Sequence, residues 1–179
     1  MEIIKREENG LMTNDLVFAK VKSNAIIPSK KDENAGYDIY ACFDEDYIII
    51  PSHTTKLIST GIASAMTNKY YLNVAERGST GSKGIKYSAG IIDSSYRGEI
   101  FITLTNSNNV PVVISKLNEE DKRVTLMNDL GCIIHPYSKA IAQLIVHEVP
   151  KMNVKEITYK ELKMIPSERG TGALGSSGK

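Results

Sequence analysis

The stretch GIIDSSYRGEI, Gly90 to Ile100, decides how this chain is read. Gly90 and Gly98 bracket a polar centre, and apolar β-formers flank it, which predicts a tight β-hairpin. Such a hairpin presents Asp93 and, three residues on, Tyr96 on one surface. An acid beside a flat ring suits a sugar, since the carboxylate takes a hydroxyl and the ring takes a face. Alone, the pair is more often a turn aspartate and a packed tyrosine. The rest of the chain changes those odds.

On both sides of this stretch the apolar runs are short: Leu16 to Phe18, Tyr47 to Ile50, Thr55 to Ile58, Tyr70 to Val74, Ile100 to Leu104, Val110 to Ile114 and Ile141 to Val146. They are rich in Ile, Val, Thr and Tyr, and polar or glycine-containing segments separate them. That pattern predicts an all-β sandwich or barrel. Val154 to Lys163 reads as a helix or a terminal strand. Lys116 to Arg123 (KLNEEDKR) reads as a solvated loop or hairpin tip, and VTLMN (Val124 to Asn128) as one strand of an added hairpin.

The 179 residues fit one domain. Hydrophobic residues make up 41%, enough for a sizeable core. Twenty-two basic against 21 acidic residues leave a net charge of +1, which argues against a dedicated nucleic-acid or membrane surface. No apolar run approaches the ~20 residues of a membrane helix. The opening MEIIKREENG carries charge early and does not read as a signal peptide. Cys42 and Cys132 lack partners at metal-ligand spacing, so a reducing, cytoplasmic compartment is expected. His53, His135 and His147 are scattered, which argues against a built-in zinc site. After Pro166 the chain becomes rich in Gly and Ser (SERGTGALGSSGK). This divides it into a β domain, residues 1–166, and a flexible arm, 167–179. Arg169 at the head of that arm, followed by closely spaced Gly and Ser, suits backbone wrapping of a phosphate.

Three further segments carry chemistry. AGYDIYA, Ala35 to Ala41, places Asp38 on a strand that starts just after a glycine, where it could hold a metal-bound water. ERGSTGSKG, Glu76 to Gly84, offers Arg77, the hydroxyls of Ser79 and Thr80, and Gly78, a composition suited to an oligophosphate. It lacks the spacing of a Walker loop. AIAQLIV, Ala140 to Val146, sets a lone Gln143 in an apolar strand, where a buried amide with backbone partners is the plain alternative.

In this order, AGYD, the Arg77 to Gly81 loop, GIIDSSYRGEI, IAQLI and RGTGALGSSG resemble the trimeric dUTP pyrophosphatase (dUTPase) family, in the phage or bacterial form with an inserted segment. The resemblance implies a jelly-roll-like subunit in a homotrimer, with three active sites between subunits. It implies that Asp93 binds the deoxyribose 3′-hydroxyl and activates water. Tyr96 would lie under the sugar and exclude ribonucleotides. Gly90, Ile91 and Ile92 would meet the uracil edge. Arg77, Gly78, Ser79, Thr80 and Gln143 would contact phosphates, and Arg169 with the tail, including Leu174, Gly175 and Ser176, would close over the γ-phosphate. Asp38 would hold a water of a Mg²⁺ ion carried by the triphosphate. The implied reaction is water attack on the α-phosphorus of dUTP, giving dUMP and pyrophosphate.

The chain departs from that family at four places. The order Arg77-Gly78-Ser79 replaces Arg-Ser-Gly, and Lys139-Ala140 stand where a basic residue often precedes IAQ. Leu174 stands where an aromatic usually stacks on the base, and a surplus falls around residues 113–135. That surplus is a tolerated surface insertion or, on a sharper reading, a docking surface for another protein. Two alternatives accompany the hydrolase: a nucleotide-sensing regulator on the same fold, and the related dCTP deaminase. The spacing of Asp93 and Tyr96 favours the hydrolase, since no further Glu is placed for deamination.

Overall fold

A computed structural model describes residues 11 and 14–172 of the chain. Twelve strands and three short helices follow in order among the described residues: β1 (Leu16–Lys20), β2 (Gly36–Ile39), β3 (Tyr47–Ile50), β4 (Thr55–Ser59), β5 (Ile62–Met66), β6 (Tyr70–Ala75), α1 (Gly78–Gly81), β7 (Ile85–Tyr87), β8 (Ile91–Ile92), β9 (Phe101–Asn106), β10 (Val112–Ser115), α2 (Lys122–Asp129), β11 (Ile133–Pro136), β12 (Ala142–Glu148) and α3 (Tyr159–Met164). Each apolar run seen in the sequence falls on a strand. The chain is mostly β, a jelly-roll type of sandwich made of small sheets ordered β1-β5, β11-β10-β3, β2-β12-β6-β8 and β4-β9-β7.

Alternation explains the packing. Along β5, Ile62, Ser64 and Met66 are buried, and along β9 so are Ile102, Leu104 and Asn106. One face of each strand therefore joins a single cluster that includes Ile39, Ile50, Ile58, Leu72, Val74, Ile114 and Leu144. Full burial of each such side chain is worth about 1.5–3 kcal/mol. Asn106 is one of the polar residues buried with them. Its amide donates to the carbonyls of Ile50 and Val110 (3.0 and 2.9 Å), and its oxygen accepts from Asn108 N (2.9 Å), so the strand ends it joins are satisfied.

The structure differs from the sequence reading in several places. GIIDSSYRGEI is a turn, but its two arms do not form a hairpin with each other. β8 pairs with β6, while β9 pairs with β4 and β7. VTLMN is helical, within α2, because β10 and β11 are parallel neighbours and a parallel pair requires a long crossover. Asp121 caps that helix by accepting from Arg123 N (2.8 Å), and Val124 is its only buried residue. The hydrogen bonds from Arg123 lower the Asp121 carboxyl to about 2. Within the expected surplus of 113–135 the ends are sheet strands, and only residues 116–132 leave the sheet. That excursion is tied down by Lys116, whose ammonium lies 4.8 and 4.9 Å from the rings of Phe43 and Tyr137, and by Arg123 on Asp46 (2.7 Å).

Val154 to Lys163 is helical only in its second half. Thr158 and Glu161 close a capping box there, with Glu161 Oε2 accepting from Thr158 N at 2.8 Å. The chain separates into one unit ending at Val149 and another beginning at Pro150, earlier than the change in composition at Pro166. Among the described residues, no helix is long and apolar enough to cross a membrane.

Candidate functional site

Strand register builds the site. β12 lies between β2 and β6, and Gln143 faces Asp38 on one side and Ala75 on the other. These three residues form one row across the sheet, so their side chains share a face. Two residues past Ala75, Arg77 turns over the same row. Its guanidinium grips the Asp38 carboxylate at both oxygens, Nε to Oδ1 at 2.9 Å and Nη2 to Oδ2 at 3.3 Å. Nη1 also donates to Ser79 Oγ (3.4 Å) and to the Ala140 carbonyl (3.3 Å). Four of the five N–H groups of Arg77 are thus used among the described residues. Gln143 Nε2 donates to the Glu76 carbonyl (2.7 Å), so this amide is held by backbone.

Gly36 permits that arrangement. A Cβ there would lie 2.6 Å from Gln143 Oε1, so only a glycine lets the amide cross the neighbouring strand. The result is an open polar cleft of about 460 Å³ lined by Glu33, Asn34, Ala35, Gly36, Asp38, Arg77, Gly78, Ser79 and Gln143. Ser79 is exposed on this cleft, whereas Thr80, expected beside it, is buried with its hydroxyl on the Arg77 carbonyl (3.0 Å). Glu33, Asn34 and the Ala140 carbonyl are the parts that sequence reasoning missed. Residues 33 and 34 precede AGYD as an unremarkable polar loop, and a backbone carbonyl leaves no signature in a sequence.

The second group of expected residues stands elsewhere. Ile92 faces Leu72 and Ile91 faces Asn73, in antiparallel register. Asp93 therefore lies toward the start of β6, while Arg77 follows its end. At about 3.3 Å per residue the two are separated by roughly 15–20 Å. Asp93 and Tyr96 are exposed, and the Asp93 carbonyl accepts from Tyr96 N (3.1 Å) to close the turn. The Tyr96 hydroxyl donates to the Glu99 carbonyl (3.0 Å), so its ring folds across Gly98, where a Cβ would meet that hydroxyl at 2.4 Å. Arg97 ties the turn from outside by donating to the carbonyls of Ser94 (2.5 Å) and Tyr96 (3.1 Å). The Gly90 carbonyl accepts from Val74 N (2.7 Å), and Ile91 is exposed beside it.

Glu99 anchors the far end of the turn, accepting from Gly61 N (2.8 Å) and Ser59 Oγ (2.5 Å). Burial works against its charge, but the Ser59 hydroxyl and the Gly61 N–H outweigh it and hold its pKa below the ordinary value. Arg169 belongs to the unit that begins at Pro150, where its Nε donates to the Gly172 carbonyl (3.1 Å). Leu174, Gly175 and Ser176 lie outside the described residues.

An arginine-centred polar cleft thus lies at one end of a sheet in a jelly-roll type of β sandwich. The comparisons assign this architecture to a family. The dUTPase family model matches residues 22–119. A deoxyuridine 5'-triphosphate nucleotidohydrolase of Debaryomyces hansenii is 32% identical over 180 residues, covering 99% of this chain and 96% of the relative. One of Candida albicans is 33% identical over 146 residues, covering 81% and 76%. The chain belongs to the dUTPase family. Among solved structures, the dUTPase of Staphylococcus bacteriophage 80alpha with dUPNHPP shares the fold at a TM-score of 0.69 and 21% identity, covering 93% of this chain and all of that one. A mutant dUTPase of phage phi11 of S. aureus, described with a structural Mg(II) ion, matches at a TM-score of 0.61 and 18% identity, covering 80% of this chain and 97% of that one.

Proposed function

We propose that this chain hydrolyses dUTP to dUMP and pyrophosphate by attack of water on the α-phosphorus. The observation that carries the reading is the cleft in which Asp38, Arg77 and Gln143, from three neighbouring strand regions of one sheet, converge beside Gly78 and Ser79. A guanidinium, an amide and a hydroxyl beside glycine backbone are the kinds of donor that a chain of phosphates needs. Arg77 and Gln143 would bind the phosphates, with Ser79 as the hydroxyl donor. Arg169 and the residues after it would close over the γ-phosphate.

Asp93 would orient the water and take its proton, and Tyr96 would carry the deoxyribose. Backbone groups of Gly90 to Ile92 would pair with the uracil edge. Rejection of ribose then follows from shape at the Tyr96 ring. Asp93 lies at the far end of β6 from the cleft, so one chain does not bring all these groups together. This favours a homotrimer whose sites draw on several copies.

The cleft suits a divalent ion held indirectly. Among the described residues no three His, Cys, Asp or Glu side chains form a ligand set. Asp38 has both oxygens on Arg77 yet remains 34% exposed, which leaves it able to hold a water of hydration. Mg²⁺ bound mainly by the substrate's phosphates fits such a site and would neutralise phosphate charge. The deciding experiment is pyrophosphate release in Mg²⁺ from dUTP, dCTP, dTTP and UTP in parallel. Turnover of dUTP alone is expected. Silence on dUTP would end this reading.

A further inference from the structure

The mechanism above leaves a buried imidazole unused. His135, on β11, is only 4% exposed. It is surrounded by Thr80, Ile85, Leu104, Val112, Ile114 and Ile141, none of which titrates. An aliphatic side chain would fill that space without the cost of burying an imidazole. The polar contact made by His135 points toward the cleft. Its Nε2 lies 3.2 Å from the Lys139 carbonyl. A carbonyl only accepts, so this nitrogen carries the proton.

Lys139 N in turn donates to the Pro136 carbonyl (3.0 Å), which closes the turn. The next residue, Ala140, is buried and gives its carbonyl to Arg77 Nη1 (3.3 Å). On the other side of the same buried space, the Thr80 hydroxyl holds the Arg77 carbonyl. A short run of bonds therefore leads from the core, through one turn, to the guanidinium.

We infer that His135 is a positioning residue for the phosphate cleft, fixing the Lys139–Ala140 turn from within so that the Ala140 carbonyl sets the orientation of Arg77. The inference rests on the reading of Arg77 as a phosphate ligand. A guanidinium that keeps Asp38 but loses the Ala140 carbonyl is free to rotate about one edge, which weakens phosphate binding more than it slows the chemical step.

The test uses the full chain. His135→Val and His135→Met remove the donor with two different volumes, and His135→Gln keeps a donor. Steady-state dUTP hydrolysis in Mg²⁺ and thermal midpoints are measured for all three. The donor-less variants that fold are expected to raise KM about 3- to 10-fold, the scale of one hydrogen bond, with kcat unchanged. Glutamine is expected to restore most of the loss. An unchanged KM in a folded donor-less variant would overturn the inference. So would a kcat and Tm that fall in all three, glutamine included, whatever the KM, which marks a purely structural role. Affinity for inorganic tripolyphosphate separates this inference from the activity itself. If the wild-type chain binds tripolyphosphate but leaves dUTP intact, only the hydrolase reading fails. A wild-type tripolyphosphate affinity in His135→Val would then still sink the positioning role.

Discussion

The two ends of the β2-β12-β6-β8 sheet are built on different principles. At the cleft end, the functional side chains are tied to one another and to backbone: Arg77 to Asp38, Ser79 and Ala140, and Gln143 to Glu76. At the Asp93 end, the acid and the ring are exposed, and the ties that hold the turn run from Tyr96 and Arg97 to nearby carbonyls. The Arg77–Asp38 pair is about one-third exposed, so solvent screening leaves it worth about 1 kcal/mol or less to stability. Its main consequence is orientation. On the proposed reading, one end would be a binder assembled before ligand arrives, and the other presents its groups outward, where a second copy would complete the site.

The largest expected effect comes from breaking the outward-facing end. Asp93→Asn should lower kcat about 10²- to 10⁴-fold, the usual contribution of a general base. Calorimetry should still show dUTP binding, because the cleft is untouched. Unchanged turnover would remove Asp93 from the reaction. Co-assembled with Arg77→Ala chains, Asp93→Asn chains should recover part of the lost activity, since some mixed sites then hold one intact copy of each end. Inactivity at every mixing ratio would place both groups in a site within one chain.

Arg77→Lys tests the pre-assembled end. An ammonium cannot span both Asp38 oxygens while also reaching Ser79 and the Ala140 carbonyl. We expect kcat/KM to fall about 10- to 100-fold, mostly through KM. A fall confined to kcat would contradict the binding role of the cleft. Gly98→Ala is a finer probe of the turn. The new Cβ would sit 2.4 Å from the Tyr96 hydroxyl, so the ring has to move. The preference for dUTP over UTP should drop about 10-fold while Asp93 chemistry persists. An unaltered preference would show that Tyr96 does not gate the sugar.

The sequence was most informative where local chemistry decides structure. Runs such as Tyr47 to Ile50 alternate or bury in β-forming residues, and they became β3 and its fellow strands. The row Asp38–Gln143–Ala75 was invisible, because register between strands distant in sequence is set by the assembled sheet. The hairpin reading of Gly90 to Ile100 failed for the same reason: the local turn signal was sound, but its arms found better partners in β6, β4 and β7. VTLMN shows the opposite error. Its β-branched and apolar residues suggested a strand, yet the capping Asp121 and the demand for a parallel crossover made a helix, leaving Leu126 59% exposed. The Ser79 and Thr80 hydroxyls looked equivalent in sequence. Only the fold of α1 turned Thr80 inward.

The smallest expected effect concerns stability and again separates the two ends. Burial holds the His135 imidazole below its ordinary value of 6.5. Donation to the Lys139 carbonyl works the other way, while the nearby cations Lys83, Arg77 and Lys139 add to the lowering. The unfolded chain therefore takes up a proton at this site at a higher pH than the folded chain does. Where the unfolded state binds more protons, stability rises with pH, so this contribution is complete above about pH 6.5 and fades as pH falls below it. Glu99, by contrast, has a lowered carboxyl, and its contribution is lost only as pH falls below about 4.5. The window from pH 6.5 to 5 thus isolates His135 from that carboxylate. Across it the wild-type Tm should fall by a few degrees more than that of His135→Gln. Parallel curves would assign the acid sensitivity of this window to groups other than His135, since the Glu99 contribution is still intact there.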